Sequence, residues 1–409
     1  MQYFPILVSI GFFVISFFIQ TNIVVQAKKV SLPLQQQEIH TPKIINSTES
    51  DMALARRIAK IVTAREQAEG AGARVRRSIG TINQRTFSPF LLFDHFISSD
   101  SNGFPEHPHR GQETITLMLH GAFAHEDFTG SKGMLYAGDL QFMTAGRGVV
   151  HSEMPVPSTD GIPTQGLQLW VDLPNELKDS APRYRDLREW EIPTVTADEG
   201  KVTVKVISGT SYGVESVKDL AYTPVNYYQY KVKAGGEFKQ ELQPGFNYFL
   251  YTIKGNTLVL NEDTKVDQFQ NVFFEKDGEF ISGKNVATKE SDDTDVEFVL
   301  IGGKILDQEI VHYGPFVVDC KANVQKAILD YQYARNGFEN LKTWRTLISN
   351  GVTPEMIEGP LQGNLELRAQ KRAKYFEERE KLNAEKDKAK ASLAHAEKVA
   401  EPIPAKDEL

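Results

Sequence analysis

The chain has 409 residues, 24% of them charged, with a formal net charge of −8 and a single cysteine, Cys320. That length supports two domains with real cores. The acidic balance disfavours a nucleic-acid partner, and one cysteine excludes both an internal disulfide and a cysteine-built zinc site.

In chain order, Tyr3 to Val25 is an almost unbroken apolar run, closed by Val25-Gln26-Ala27 ahead of Lys28-Lys29. Residues 1–27 are therefore expected to be a cleaved secretory signal. The competing reading is an uncleaved anchor, the only case in which the chain would hold to a membrane. Residues 28–51 are polar and Gln-rich and read as a linker carrying a glycosylation sequon at Asn46-Ser47-Thr48. The last four residues are Lys406-Asp407-Glu408-Leu409, a retrieval address read in the endoplasmic reticulum lumen. The expected residence is that lumen, and the expected partner there is the receptor for this tetrapeptide.

Between Met52 and Val318 short runs of β-branched and aromatic residues alternate with Gly, Pro, Asp and Asn clusters, as in "ETITLMLHG", "LQLWVDL", "VTVKVISG" and "NYFLYTIKG". This punctuation predicts an all-β protein of barrels or sandwiches. "TITLMLHG" and "YFLYTIKG" end at Gly121 and Gly255, an offset of 255 − 121 = 134 residues. Two tandem barrels follow, at 52–185 and 186–318. The same offset sets Glu241 opposite His107, Gln243 opposite His109 and Asn247 opposite Glu113, so only the first barrel is expected to hold a metal.

"EHPHRGQE" places His107 and His109 two residues apart, and "VVHSEMP" does the same for His151 and Glu153. On a strand, residues i and i+2 share a face. Two strands can thus present three imidazoles and a carboxylate, a set suited to Fe(II) and other divalent transition metals. Four protein ligands leave open positions, as in a catalytic rather than a structural site. Gly146 and Gly148 mark a tight turn before the second pair. The remaining histidines, His125 and His312 among them, read as ordinary strand or turn residues. Farther on, Val324, Ala327, Ile328 and Tyr331 recur at helical spacing and Asn336-Gly337 is a stop, so 319–347 reads as a helical segment packed on the barrels. Residues 348–409 are expected to form a charged, solvated tail.

The spacing from His107 to Glu113 resembles the first cupin motif, and Gly138 to His151 a variant of the second. "REQAEGAGARVRRSIG", "PFLLFDHF", "HPHRGQETIT", "AHEDFTGSKG", "GDLQFMTAGRGVVHSEMP" and "AILDYQYARNGFENLKTW" more specifically resemble the pirin family, over roughly Ala53 to Leu347. The resemblance implies a bicupin with iron in its N-terminal barrel, held by His107, His109, His151 and Glu153, and a second barrel without metal. It also implies one of two roles. The first is a quercetin 2,3-dioxygenase; on that reading Glu153 is the candidate catalytic base toward a small aromatic substrate, and Phe104, Phe128, Phe142 and Met143 either line its slot or pack in the core. The second is a non-catalytic, iron-dependent redox-sensing co-regulator. A monomer is expected.

Overall fold

The computed structural model describes residues 54–399 apart from 71, 100, 101 and 159. The leader, the linker with Asn46 and the terminal Lys406–Leu409 sequence lie outside the described residues. No described helix is long and apolar enough to cross a membrane.

Two barrels are built to one plan. In the first, a seven-stranded sheet runs Arg183–Leu187, Leu140–Thr144, Gln112–His120, Thr164–Asp172, Phe90–Ser98, Ala73–Ile79, Glu66–Glu69. It faces a four-stranded sheet ordered Phe104–His109, Val149–Pro155, Ala122–Asp127, Lys132–Tyr136. The second barrel repeats this with Ile58–Thr63, Gln270–Phe274, Phe246–Lys254, Val296–Lys304, Val225–Val232, Val202–Ser208 and Thr194–Ala197, facing Glu237–Glu241, Phe280–Asn285, Leu258–Leu260 and Thr264–Val266. Gln112–His120 and Phe246–Lys254 are both nine residues long and start 246 − 112 = 134 residues apart, as the repeat predicts.

The expected domain limits are redistributed. Ile58–Thr63 joins the second barrel, pairing Ile61 with Val272 at the edge that Arg183–Leu187 fills in the first. The limit at residue 185 falls inside Arg183–Leu187, which pairs with Leu140–Thr144. A strand's period-2 pattern says which face is buried but not which sheet edge it joins, since any edge offers the same backbone groups. The chain ends cross over: the hairpin Val311–Val318 and the helix Ala322–Gln332 return to the first barrel, where Phe316, Val318, Ala327 and Phe338 pack with Met143, Val149 and Val150.

The central strands of each seven-stranded sheet are buried on both faces, so Phe90–Ser98, Phe246–Lys254 and Val296–Lys304 read as near-continuous apolar runs. One face looks into its own barrel. The other meets its counterpart in a shared core, where Phe249 lies edge-on to Phe90 and Phe93 with ring centroids 5.2 and 5.1 Å apart. The second barrel is filled with Phe238, Leu258, Leu260, Ile281 and Phe298. The first holds a smaller apolar cluster of Val75, Phe96, Met118, Phe123 and Leu135 beside buried polar groups that include His109, Gln112, Gln141 and His151.

His95 lies between the barrels, its Nδ1 3.1 Å from the Tyr251 hydroxyl. Burial pushes its imidazole from 6.5 down to about 4; Gln165 opposes the fall and Arg76 adds to it. An unfolded chain takes up this proton below its ordinary value, while the folded chain stays neutral until about 4. Stability therefore drains away as pH drops from 6.5 toward 4, by about 2 kcal/mol at pH 5 from this group. In His95→Gln, the fall in urea midpoint from pH 7 to pH 5 shrinks accordingly. An unchanged fall in the variant would show that His95 is not the proton acceptor.

The tail is not solvated throughout. Ile348, Val352 and Leu361 are buried against Ala122, Ala124, Met134 and Met154. The Arg368 guanidinium grips the fully buried Asp139 through two bonds of 2.7 and 2.8 Å and lies over the rings of Trp190 and Tyr136. Three apolar residues without a regular period are enough to dock a strap, and a pattern search passes over them. The helix Leu365–Val399 is largely exposed from Ala373 to Lys386, as its charge predicts.

Candidate metal centre

Phe104–His109 is an edge strand, which is why it tolerates Pro105 and Pro108. Its open edge leaves one partner, Val149–Pro155, and there His107 pairs directly with His151. Pairing slips between His151 and Glu153, the local bulge often found beside active sites. Gly111 N–H donates to the Gly146 carbonyl at 2.7 Å, tying the loops that flank the two strands. Both glycines have positive φ, +74° and +50°, and a Cβ would come within 1.8 Å of the Val317 carbonyl oxygen or 2.1 Å of that of Ser180. Only glycine allows this closure.

The structure brings His107, His109 and His151 together, with one ligand nitrogen from each inside a mutual 4.8 Å. The Nε2 atoms of His107 and His151 are 2.9 Å apart. The donors around them set the tautomers. His107 Nδ1–H donates to the Pro105 carbonyl at 2.8 Å, leaving its Nε2 a lone pair. The Gln112 amide lies 2.7 Å from His109 Nδ1, and its Oε1 is buried without a partner. A half-turn of that amide lets Oε1 accept from Nδ1–H and frees His109 Nε2, itself buried and unpaired. Lone pairs converging in a buried space repel unless a cation lies between them, so the donor set fits a transition metal. Burial holds His109 and His151 well below 6.5, and the neighbouring imidazoles add to this; burial lowers His107 as well, against the pull of the Pro105 carbonyl. All three are in the neutral form that a metal requires.

Glu153 is buried beside them, its Oε2 3.8 Å from His151 Nε2 and outside the tight group of three. Burial pushes its carboxyl up to about 7, with His125 opposing.

Several neighbours escaped sequence reasoning. Trp170 lies edge-on to His109, ring centroids 5.0 Å apart, and its indole Nε1 is buried with no hydrogen-bond partner among the described residues. Its signal was present in "LQLWVDL": Leu167, Leu169 and Val171 face the shared core, so Trp170 must face the barrel interior. His312, read as a bystander, arrives on the returning hairpin 6.0 Å from Trp170. His125, also read as ordinary, pairs across from Glu153, stacks on Tyr184 and lies 3.4 Å from Asp186. The four residues expected to line a slot pack elsewhere: Phe128 on Phe338, Phe142 in the shared core, Phe104 on Phe96 and Phe123, and Met143 near Val149.

In the second barrel the offset slips by one face. Glu241 and Gln243 are exposed, and the inward positions are Phe238 and Gln240. An offset taken from Gln112–His120 and Phe246–Lys254 does not fix the phase of the strand before each, and a one-residue difference in phase turns every side chain over. Asn247 is buried and donates to the Ser88 carbonyl at 2.6 Å.

The model of the Pirin family matches residues 72–171, and that of the pirin C-terminal cupin domain matches 227–337. Over 302 residues the chain is 42% identical to Pirin of Mus musculus, covering 73% of this chain and 100% of that one. Over 299 residues it is 41% identical to a pirin-like protein of Solanum lycopersicum, covering 73% and 99%. Among solved structures, quercetin 2,3-dioxygenase from Acinetobacter baumannii superposes with a TM-score of 0.63 at 27% identity, over 69% of this chain and 98% of that one. A Geobacillus kaustophilus protein gives 0.55 at 31% identity, over 63% and 100%.

Proposed function

The chain belongs to the pirin family, and from that premise we propose that it is an iron-dependent dioxygenase acting on quercetin or a similar flavonol. The observation that carries this reading is the convergence of three neutral imidazoles, those of His109 and His151 fully buried, with the Glu153 carboxylate beside them. The likeness to the Acinetobacter quercetin 2,3-dioxygenase supports the substrate class. Iron(II) in this place would supply Lewis acidity toward adjacent substrate oxygens. His107, His109 and His151 would hold the ion, with Glu153 as the fourth ligand. Glu153, buried next to His151, is also placed to accept the proton of a substrate hydroxyl. Trp170 offers an aromatic face beside His109 and an unpaired N–H to orient a polyphenol.

The test is turnover. Iron-loaded protein given quercetin and dioxygen consumes the two in equal amounts, and the Glu153→Gln variant does so far more slowly. Full metal loading without loss of any flavonol or catechol in a panel would overturn the catalytic reading and favour an iron-bearing binding protein. We also propose residence in the endoplasmic reticulum lumen, on the apolar run at residues 3–25 and the Lys406-Asp407-Glu408-Leu409 sequence. Deleting that tetrapeptide should release the protein into the medium; retention without it would count against the address.

A further inference from the structure

We propose that Asp330, in the helix Ala322–Gln332, is a positioning residue for the metal centre, holding the first ligand strand through Arg110; the role rests on the metal reading above. Phe104–His109 is paired along one edge only, and Arg110 follows His109 directly. The open side is closed by the returning segment. Arg110 N–H donates to the Pro315 carbonyl at 3.2 Å, and Val317 N–H to the Arg110 carbonyl at 2.9 Å.

The Arg110 side chain then spans three pieces of the site. Its Nη1 donates to Asp330 at 3.0 Å, its Nη2 to the Asn336 carbonyl at 2.5 Å and its Nε to the Arg147 carbonyl at 2.7 Å. Arg147 belongs to the turn that launches His151. The guanidinium face lies 4.7 Å from the Phe338 ring centre. One rigid fork thus joins both ligand strands to the helix.

Asp330 is completely buried, yet it also accepts from Lys326 at 2.8 Å, Arg335 at 3.2 Å and Asn336 at 2.8 Å. A helix seeking only stability would place an apolar residue here, because burying charge gains little over good packing. What the carboxylate adds is direction. It fixes where Arg110 points, and therefore where the strand carrying His107 and His109 stops. Outer partners of this kind set the orientation of metal ligands.

The probe is Co(II), whose visible spectrum reports ligand geometry. Asp330→Asn keeps the shape and removes the charge. It is expected to release Co(II) to a chelator about 10–100-fold faster than wild type and to shift the visible bands. Arg335→Gln removes an Asp330 partner that does not touch Arg110. It should lower the melting temperature while leaving both Co(II) readouts within about twofold, far below the outer-partner effect. If Asp330→Asn fails to fold, Arg110→Lys decides, since it keeps the cation and loses the fork; it should show the same faster release. A wild-type release rate and spectrum in the deciding variant would overturn the positioning role alone. A wild-type protein that takes up no Co(II) would overturn the metal reading and this role with it.

Discussion

Replacing His151 with alanine is expected to strip the purified protein of metal. His151 is 1% exposed, its Nε2 is 2.9 Å from that of His107, and its ring centroid is 4.9 Å from that of His109. It is the imidazole that the second strand places in the tight group. Without it two imidazoles remain on an edge strand, and Glu153 loses the neighbour that brings it to the site. Losing an outer partner alone costs about 10–100-fold in affinity, so losing this inner ligand should cost more. Metal content should drop from about one ion per chain to below about a tenth of that, because uptake depends on the full ligand set. His107→Ala should act in the same direction. The sheet itself should survive, since the pairing of Val149–Pro155 with its neighbours is made by backbone groups. Elemental analysis beside far-ultraviolet circular dichroism reads both effects. Stoichiometric metal in a folded His151→Ala protein would sink the assignment.

Phe249→Ala should destabilise both barrels at once, although Phe249 belongs to the second. The ring is fully buried and meets Phe90 and Phe93 of the first barrel and Phe273 of its own. Removing a buried phenylalanine from such a cluster costs about 3–5 kcal/mol. Domains of this kind are stable by only about 5–15 kcal/mol, so the loss is large. The same core holds Ile115, Leu117, Leu167 and Leu169 from the first barrel and Tyr227, Val299 and Ile301 from the second. A cavity there weakens contacts that neither barrel can replace alone. The three tryptophans, Trp170, Trp190 and Trp344, all lie outside the second barrel's strands. Their fluorescence midpoint in urea should therefore shift together with the circular dichroism midpoint, in one transition. If the fluorescence midpoint stays at the wild-type value, the barrels unfold independently and the shared core does not couple them.

The clustered histidines were legible because strand periodicity is local. His107 with His109, and His151 with Glu153, share a face whatever sheet their strands join, and few residue types bind metal. The duplication was legible for the same reason: Gln112–His120 and Phe246–Lys254 carry the same alternation over the same length. The helix Ala322–Gln332 followed from four apolar residues on one face, but it is shorter than the expected 319–347 and caps at Tyr333, ahead of the Asn336-Gly337 stop. Family membership rested on ordered motifs that cover most of the barrels.

Other features belonged to the tertiary structure alone. Sheet edges present the same N–H and C=O groups everywhere, so no pattern within Ile58–Thr63 could assign it to the second barrel rather than the first. The 134-residue offset failed at Glu241 and Gln243 because an offset read from one strand does not fix the phase of the strand before it, and a one-residue difference in phase turns a face over. Trp170 acquires its place beside His109 when the two sheets of the first barrel face each other, and His312 its place beside Trp170 only when the chain returns from the second barrel to the first. Arg110 and Asp330 are 220 residues apart and meet as a buried pair. Periodicity reports which way a side chain points; what it meets there depends on which distant segments share the core, and that follows from packing the whole chain.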